Sequence, residues 1–158
     1  MSFDPIAAEI VKKMKRRNLT LSTAESITGG GLGEVLTSIP GSSNVFEGGL
    51  ITYSDISKKK FLGVTQRVLT KESAVSEAVA ITMAQEVRKC FRTDYAISTT
   101  GVAGPGKAYG QKPGTVWIAI DSKSGTSTIL LNLLGTREQI RHATIESALA
   151  AFSRILAL

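Results

Sequence analysis

The segment at residues 19–31, LTLSTAESITGGG, decides the fold. Its first five residues, 19–23, alternate in hydrophobicity and include β-branched side chains, so they predict a short β-strand. The three glycines at 29–31 predict a tight turn that opens a helix, which continues to about Ser38. A strand that leads through a glycine-rich turn into a helix is typical of layered α/β domains.

The rest of the chain continues this alternation of helices and strands. Helices are predicted at residues 4–17, 54–62, 76–90 and 137–156, and strands at 45–53, 94–99, 115–121 and 126–134. The last two strands are expected to form a hairpin around Ser124 and Gly125. This order predicts an α/β fold: a single layered domain over residues 1–158, with a mixed, mostly parallel sheet flanked by helices.

The composition is that of an ordinary globular domain. The chain has 158 residues, of which 42% are hydrophobic and 20% are charged. No apolar run approaches the ~20 residues of a membrane-spanning helix, and the N-terminal basic residues follow the apolar ones, the reverse of a secretory signal. A single cysteine, Cys90, excludes an internal disulfide and a cysteine-built zinc site. These observations predict a cytoplasmic protein with no membrane partner.

The net charge of +6 arises from 19 Lys and Arg against 13 Asp and Glu, and it favours anionic partners. The cations cluster at residues 12–17, at 58–60, and at Arg137 with Arg141. Aromatic residues make up only 6% and do not interleave with these clusters, as they do in proteins that bind single-stranded nucleic acid. The first cluster fits the solvated face of a helix, and nucleic-acid binding is the less supported alternative.

The turn at residues 23–31 follows a predicted strand, the position at which open α/β sheets bind ligands. Its glycines let backbone N–H groups approach either a phosphate or the oxyanion of an acyl-transfer intermediate. The alternative interpretation, which these residues taken alone favour, is a plain helix N-cap by Ser26 or Thr28. A dinucleotide fingerprint fails, because Leu36 stands where the third glycine is needed.

A second glycine-rich loop, at residues 101–114, nearly matches a nucleotide-binding P-loop. Its last position is Ala108, which lacks the magnesium-binding hydroxyl, and turn residues follow it where a helix is required, so we exclude nucleoside triphosphate hydrolysis. The only histidine, His142, has no evident catalytic partner, and no residues show metal-ligand spacing. A serine with a lysine of lowered pKa needs neither histidine nor metal, but the composition alone does not select one lysine.

Several motifs along the whole chain resemble the CinA C-terminal domain family. They are TAESxTGG at residues 23–30, PGSS at 40–43, YSxxxK at 53–58, AVS at 74–76, TGVAGP at 100–105 and KPGTV at 112–116. The family includes stand-alone nicotinamide-nucleotide amidases of the PncC type. The resemblance therefore implies a hydrolase that converts nicotinamide mononucleotide to nicotinate mononucleotide and ammonia in NAD salvage, without cofactor or metal. Longer CinA proteins carry a further N-terminal domain, and we expect residues 1–158 to correspond to the amidase domain alone.

The resemblance also implies roles for individual residues. Ser26 would be the nucleophile, Lys58 the base that activates it, and Thr100 a third hydroxyl that relays a proton or steadies the intermediate. Backbone N–H groups around Gly29 and Gly30 would form the oxyanion hole.

Substrate binding involves a wider set of candidates. Tyr53 is expected to line the nicotinamide pocket. The candidates for binding the substrate phosphate are a cation, Arg141 or Arg137, and the turn at residues 41–43, which contains Ser42. The full set of oxyanion and substrate-binding candidates is Thr28, Gly29, Gly30, Ser42, Tyr53, Gly101 and Arg141.

The chain departs from the family pattern around the site. Ile27 replaces the usual cysteine, Asp55 replaces the usual asparagine, Glu72 and Ser73 stand for a common His-Gly, and the loop at 106–114 is altered and lacks a valine before Gly114. Two alternatives therefore stay open: a non-catalytic binding protein linked to competence or DNA damage, and an amidase for another small amide. A homodimer or larger homo-oligomer is expected, with the second strand and the final helix as its surface.

Overall fold

The computed structural model describes residues 4–157 and confirms the predicted α/β fold. Helices and strands alternate through the first two thirds, and a β-hairpin and a long helix follow. In chain order the elements are α1 (Pro5–Arg16), β1 (Leu21–Glu25), α2 (Gly31–Thr37), a short 3₁₀ helix (Ser42–Asn44), β2 (Phe46–Ile51), α3 (Asp55–Leu62), α4 (Gln66–Glu72), α5 (Glu77–Phe91), β3 (Tyr95–Gly101), β4 (Thr115–Ser122), β5 (Gly125–Asn132) and α6 (Arg137–Ala157).

The strands form one mixed sheet in the order β2-β1-β3-β4-β5. β1 pairs in parallel with both β2 and β3, whereas β4 is antiparallel to β3 and to β5. Only β4 therefore runs against the other strands. The carboxyl ends of β1, β2 and β3 meet at one edge of the sheet, which is where the candidate site lies.

Helices cover both faces of the sheet. α1, α2 and α6 pack on one face, against side chains such as Ile97 and Ile118. α3, α4 and α5 cover the other face, where Ala24 and Ala96 are the strand residues of the core. The alternation of these side chains along β3 sends successive residues into different layers. The result is a three-layer domain with a core on each side of the sheet.

Two differences from the prediction have local causes. The short helix α4, missed in the sequence, begins where the Thr65 hydroxyl accepts a hydrogen bond from Val68 N, and it buries only Leu69, too little to produce a helical pattern. β1 begins and ends two residues later than predicted and includes the charged Glu25, which is only 2% exposed. This strand end matters because Ser26 follows it directly.

Candidate active site

A pocket of about 290 Å³ opens at the carboxyl edge of the parallel strands. Ser26 follows β1, Tyr53 follows β2, and Thr100 lies at the end of β3, while Lys58 comes from α3. All four residues line the pocket, together with the backbone of the loop that begins at Gly101. This is the position at which α/β sheets bind ligands, because strand ends and loops from several units converge there.

The centre of the pocket is a contact between Lys58 and Ser26. Lys58 Nζ lies 2.9 Å from Ser26 Oγ, and the two residues are only 1% and 7% exposed. Lys58 Nζ also donates to the backbone carbonyls of Thr52, at 2.9 Å, and Tyr53, at 3.2 Å. A neutral amine has two N–H groups and one lone pair. With its N–H groups on the two carbonyls, the lone pair of a neutral Lys58 faces the Ser26 hydroxyl.

Burial lowers the pKa of Lys58 from 10.5 to about 8. The cause is the loss of hydration, which disfavours the charged amine, and the nearby Asp55 carboxylate opposes it by favouring the charge. A lysine with this pKa holds a usable fraction of free base near neutral pH, which an ordinary lysine does not.

Thr100 also lines the pocket. Its hydroxyl donates to the carbonyl oxygen of Ala74 at 2.7 Å, and its side chain is buried. Since its only proton is used in this bond, the lone pairs of the oxygen are left to accept a hydrogen bond from a bound molecule. Gly101 follows it in the pocket lining, where a Cβ would lie 2.8 Å from the Thr115 carbonyl oxygen, so a side chain does not fit.

The turn after Ser26 is organised by Glu25. Its carboxylate accepts hydrogen bonds from Gly30 N at 3.0 Å and from the Thr28 hydroxyl at 2.7 Å. Gly29 N donates to the Ser26 carbonyl oxygen. These contacts occupy the donors at Gly29 and Gly30, so the predicted oxyanion role of the two amides does not fit the geometry, and the Thr28 side chain faces Glu25.

Another amide is better placed for this role. The N–H of Ile27, the residue after Ser26, has no protein acceptor among residues 4–157, and Ile27 lines the pocket. In hydrolases with a nucleophile at a strand-to-helix turn, the amide of the following residue is a usual oxyanion donor.

The structure separates the three candidates for phosphate binding. Arg137 lines the pocket and donates to Tyr53 Oη and to the Gly104 carbonyl oxygen, both at 2.9 Å. Arg141 instead donates to the carbonyls of residues 27 and 28, at 3.1 and 3.0 Å, and does not line the pocket. Ser42 precedes β2 at the opposite end of the parallel strands, so it does not reach the site. Of the three, the geometry favours Arg137.

Two exposed tyrosines form the rim. Tyr53 is 57% exposed and Tyr109 is 49% exposed, and both line the pocket. Tyr109 Oη donates to the Asp55 carboxylate at 3.2 Å, which links the 101–114 loop to α3. Partial burial and then the charge of Asp55 raise the pKa of Tyr109.

Sequence reasoning missed the contributions of Glu25 and Tyr109. For Glu25 a signal was available: a charged residue stands directly before a candidate nucleophile in a segment otherwise typical of a strand. Tyr109 lies in a loop whose path depends on tertiary contacts, and nothing in its spacing pointed to the site.

The cysteine, the histidine and the acidic side chains of residues 4–157 were the other candidates for a reactive or metal-binding site. Among the described residues, no three His, Cys, Asp or Glu side chains come together where they could hold a metal ion. Cys90 is exposed, and the exposed His142 lies 4.0 Å from Glu138 on α6. Within residues 4–157, every helix is too short or too polar to cross a membrane.

The fold and the site together define a class: α/β domains with a buried serine–lysine pair at the carboxyl edge of a mixed five-stranded sheet. Comparison with known proteins places the chain more closely, because residues 3–156 match the CinA C-terminal domain. The chain belongs to this family.

Named relatives and solved structures agree with this placement. A CinA-like protein of Gemmatimonas aurantiaca is 43% identical over 98% of the chain, and a putative competence-damage inducible protein of Clostridium botulinum is 46% identical over 89%. The matches span 36% and 35% of those relatives, so the chain covers about a third of their length. The crystal structure of competence/damage inducible protein CihA from Agrobacterium tumefaciens covers all of both chains, with a TM-score of 0.93 and 35% identity.

Proposed function

We propose that this protein is an amidase that hydrolyses the carboxamide of nicotinamide mononucleotide to give nicotinate mononucleotide and ammonia. The observation that carries the proposal is the 2.9 Å contact between Lys58 Nζ and Ser26 Oγ, two residues that are both buried. Serine is a weak nucleophile unless a base removes its proton, and a buried lysine of lowered pKa supplies that base.

In the proposed mechanism, neutral Lys58 takes the proton of Ser26 as Oγ attacks the carboxamide carbon. The Ile27 N–H stabilises the oxyanion that forms on the carboxamide oxygen. Lys58 then gives its proton to the leaving nitrogen, the C–N bond breaks and ammonia departs, which leaves an ester on Ser26. Lys58 next takes a proton from water, whose oxygen attacks the ester, and returns that proton to Ser26. The sum is one amide and one water converted to one acid and one ammonia.

The pocket suits a flat, charged mononucleotide. The rings of Tyr53 and Tyr109 at the rim match a pyridinium ring, because aromatic faces attract cations. Arg137, with Lys107 beside the same pocket, supports binding of the phosphate at the other end of the substrate. Thr100 is proposed to hold the carboxamide or the attacking water through its free lone pairs.

The test is the release of ammonia from nicotinamide mononucleotide by the purified protein. Ser26→Ala and Lys58→Ala are expected to lower kcat by at least ~10³-fold, because each removes part of the nucleophile–base unit. Lys59→Ala is the matched control, since Lys59 is the next residue on α3, is exposed and donates its hydrogen bond to Gln66 instead of to a group in the pocket. Ammonia release that survives either site substitution would rule out the mechanism.

The alternatives predict different results. An amidase for another small amide would show Ser26-dependent ammonia release from that amide and none from the mononucleotide. A non-catalytic binding protein linked to competence or DNA damage would release no ammonia and would bind DNA in a salt-sensitive way. The serine–lysine contact favours the enzymatic proposals.

We also propose that the protein forms a homodimer or larger homo-oligomer. The apolar side chains of α6 are mainly buried, whereas Ile51, Ile56 and Phe61 at the end of β2 and on α3 are 59%, 76% and 57% exposed. This surface therefore involves β2, an edge strand of the sheet, and α3 rather than α6. A sedimentation measurement that finds only monomer would contradict it. Cytoplasmic location stays a prediction that rests on the single cysteine.

A further inference from the structure

We infer that Glu25 is a positioning residue that holds the Ser26 turn in its reactive geometry. The inference deepens the proposed serine–lysine function and rests on it, but it concerns the nucleophile rather than the identity of the substrate. Glu25 does not line the pocket, so it acts on the reaction only through the turn.

The Glu25 carboxylate accepts hydrogen bonds from five protein donors. Oε2 accepts from the Thr28 hydroxyl at 2.7 Å and from the amides of Gly30 and Leu32, both at 3.0 Å. Oε1 accepts from Gly33 N at 2.8 Å and from the Thr23 hydroxyl at 3.3 Å. A carboxylate is an acceptor only, so these contacts use it fully.

These donors include the first free amides of α2. The N-cap residue of that helix, Gly30, has no side chain to cap it and lies at φ +98° in the left-handed region. Helix N-termini attract anions, and in P-loop and Rossmann domains they bind a phosphate of the ligand. Here the position is taken by a carboxylate of the protein itself, which fixes the path of the chain from β1 through Ser26 into α2.

Arg141 also holds this turn through hydrogen bonds. Its guanidinium donates to the carbonyls of Ile27 and Thr28, while Glu25 accepts from the side chain of Thr28. Thr28 also contacts the Thr99 hydroxyl at 2.7 Å. Because the Thr28 proton goes to Glu25, Thr99 must donate in this second bond. The turn is thus tied to α6 and β3 as well as to the end of its own strand.

Loss of the carboxylate is expected to misplace Ser26. In Glu25→Gln the amide oxygen can serve at most the three donors of Oε2, and the NH₂ group then faces the Gly33 amide as donor against donor, while the Thr23 hydroxyl can turn to accept from it. The turn must shift to relieve this conflict. A shift of about 1 Å in a reacting group can lower a rate by ~10²-fold. Glu25→Asp keeps the charge on a shorter side chain and should restore part of the rate.

The test uses phenylmethylsulfonyl fluoride, which reports on the serine without the natural substrate. Ser26 Oγ forms a bond to sulfur, the S–F bond breaks, fluoride leaves, and the Oγ proton passes to Lys58. The rate constant of labelling, followed by mass spectrometry of intact protein, is expected to fall at least tenfold in Glu25→Gln. The rate constant distinguishes a misplaced Ser26 from a loss of folded protein. A partly unfolded sample lowers the labelled amount but leaves the rate constant of the folded fraction unchanged.

Ser22→Ala is the matched control. Ser22 is buried on β1 and bonds to Thr93 at 2.8 Å, so its loss should lower stability at the far end of the same strand. Its labelling rate constant should equal that of the wild type. An unchanged rate constant in Glu25→Gln would overturn the inference while leaving the amidase proposal intact. Absence of labelling in the wild type would overturn both the role of Glu25 and the serine–lysine mechanism. Labelling without deamidation of nicotinamide mononucleotide would overturn only the choice of substrate.

Discussion

Replacement of Asp55 by asparagine should make the protein a better amidase at neutral pH. Asp55 is the first residue of α3, and its charge raises the pKa of Lys58, which burial otherwise lowers. Asparagine removes the charge but keeps an oxygen that accepts the hydrogen bond from Tyr109. The substitution therefore isolates the electrostatic effect of Asp55 on the catalytic base.

The size of the effect follows from Coulomb's law. As an order of magnitude, two unit charges about 8 Å apart interact by ~0.5–1 kcal/mol when the effective dielectric constant is about 40 to 80. This energy corresponds to about half a pKa unit or slightly more. With a pKa of about 8, roughly a tenth of Lys58 is neutral at pH 7. A pKa lowered by about 0.4 to 0.7 of a unit raises that fraction roughly two- to fourfold.

The assay is the pH dependence of kcat/KM for ammonia release between pH 6 and 10. The base must be neutral, so activity rises through the pKa of Lys58 and reaches a plateau above it. In Asp55→Asn the midpoint of this rise should move to lower pH, and the rate relative to the variant's own plateau should exceed that of the wild type at pH 7. The midpoint, unlike the plateau, does not depend on how Asp55 affects substrate binding.

Tyr109→Phe provides the control, because it removes the hydrogen bond to Asp55 and leaves the charge in place. Its midpoint should match that of the wild type. A midpoint for Asp55→Asn that stays fixed or moves to higher pH would refute the electrostatic reasoning. A shift of equal size in Tyr109→Phe would assign the effect to the loop contact instead.

Three further predictions concern stability and binding. Below pH 8 Lys58 is charged in both the folded and the unfolded chain, whereas between about 8 and 10.5 it is neutral only in the folded chain. From pH 7 to above 10.5 the free energy of unfolding of the wild type should therefore rise by ~3 kcal/mol relative to that of Lys58→Met. Urea unfolding at both pH values measures this difference, and a parallel pH dependence would contradict it. Arg137→Met should raise KM about tenfold or more, because Arg137 lines the pocket. Arg141→Met should instead lower kcat, because Arg141 holds the turn that carries the nucleophile. The opposite pattern would assign phosphate binding to Arg141. Gly114→Ala should lower the free energy of unfolding by at least ~2 kcal/mol, because its Cβ would overlap the Leu133 carbonyl oxygen at a φ of +88°. A smaller loss in urea unfolding would show that the loop can shift.

The sequence predicted the sheet and its flanking helices because their signals are local. The apolar spacing of α1 and the hydroxyl residue that follows β1 can both be seen within a few residues. The family motifs located Ser26, Lys58 and Thr100, which the fold brings to one pocket. Composition alone did not choose among the lysines, since the property that distinguishes Lys58 is its burial, and burial is set by distant elements.

The parts that the sequence did not predict depend on long-range contacts. Glu25 would ordinarily end a strand, and only the amides of α2 make its burial favourable. The roles of Arg137 and Arg141 depend on how the first turns of α6 meet the loops after β1 and β3, because the two residues lie one turn apart on the helix. Their separation in sequence alone does not indicate which one faces the pocket.

The parallel pairing of β1 with β2 and β3 has a consequence for the order of folding. Ser26, Lys58 and Thr100 lie on segments that meet only after the connections between the parallel strands have packed. The contact between Ser26 and Lys58 alone spans 32 positions of sequence. Contacts of such long range form late, because the entropy of loop closure must be overcome first. Recovery of serine reactivity after dilution from denaturant should therefore lag behind recovery of helical circular dichroism. The nucleophile would then report the completion of the native sheet rather than its beginning.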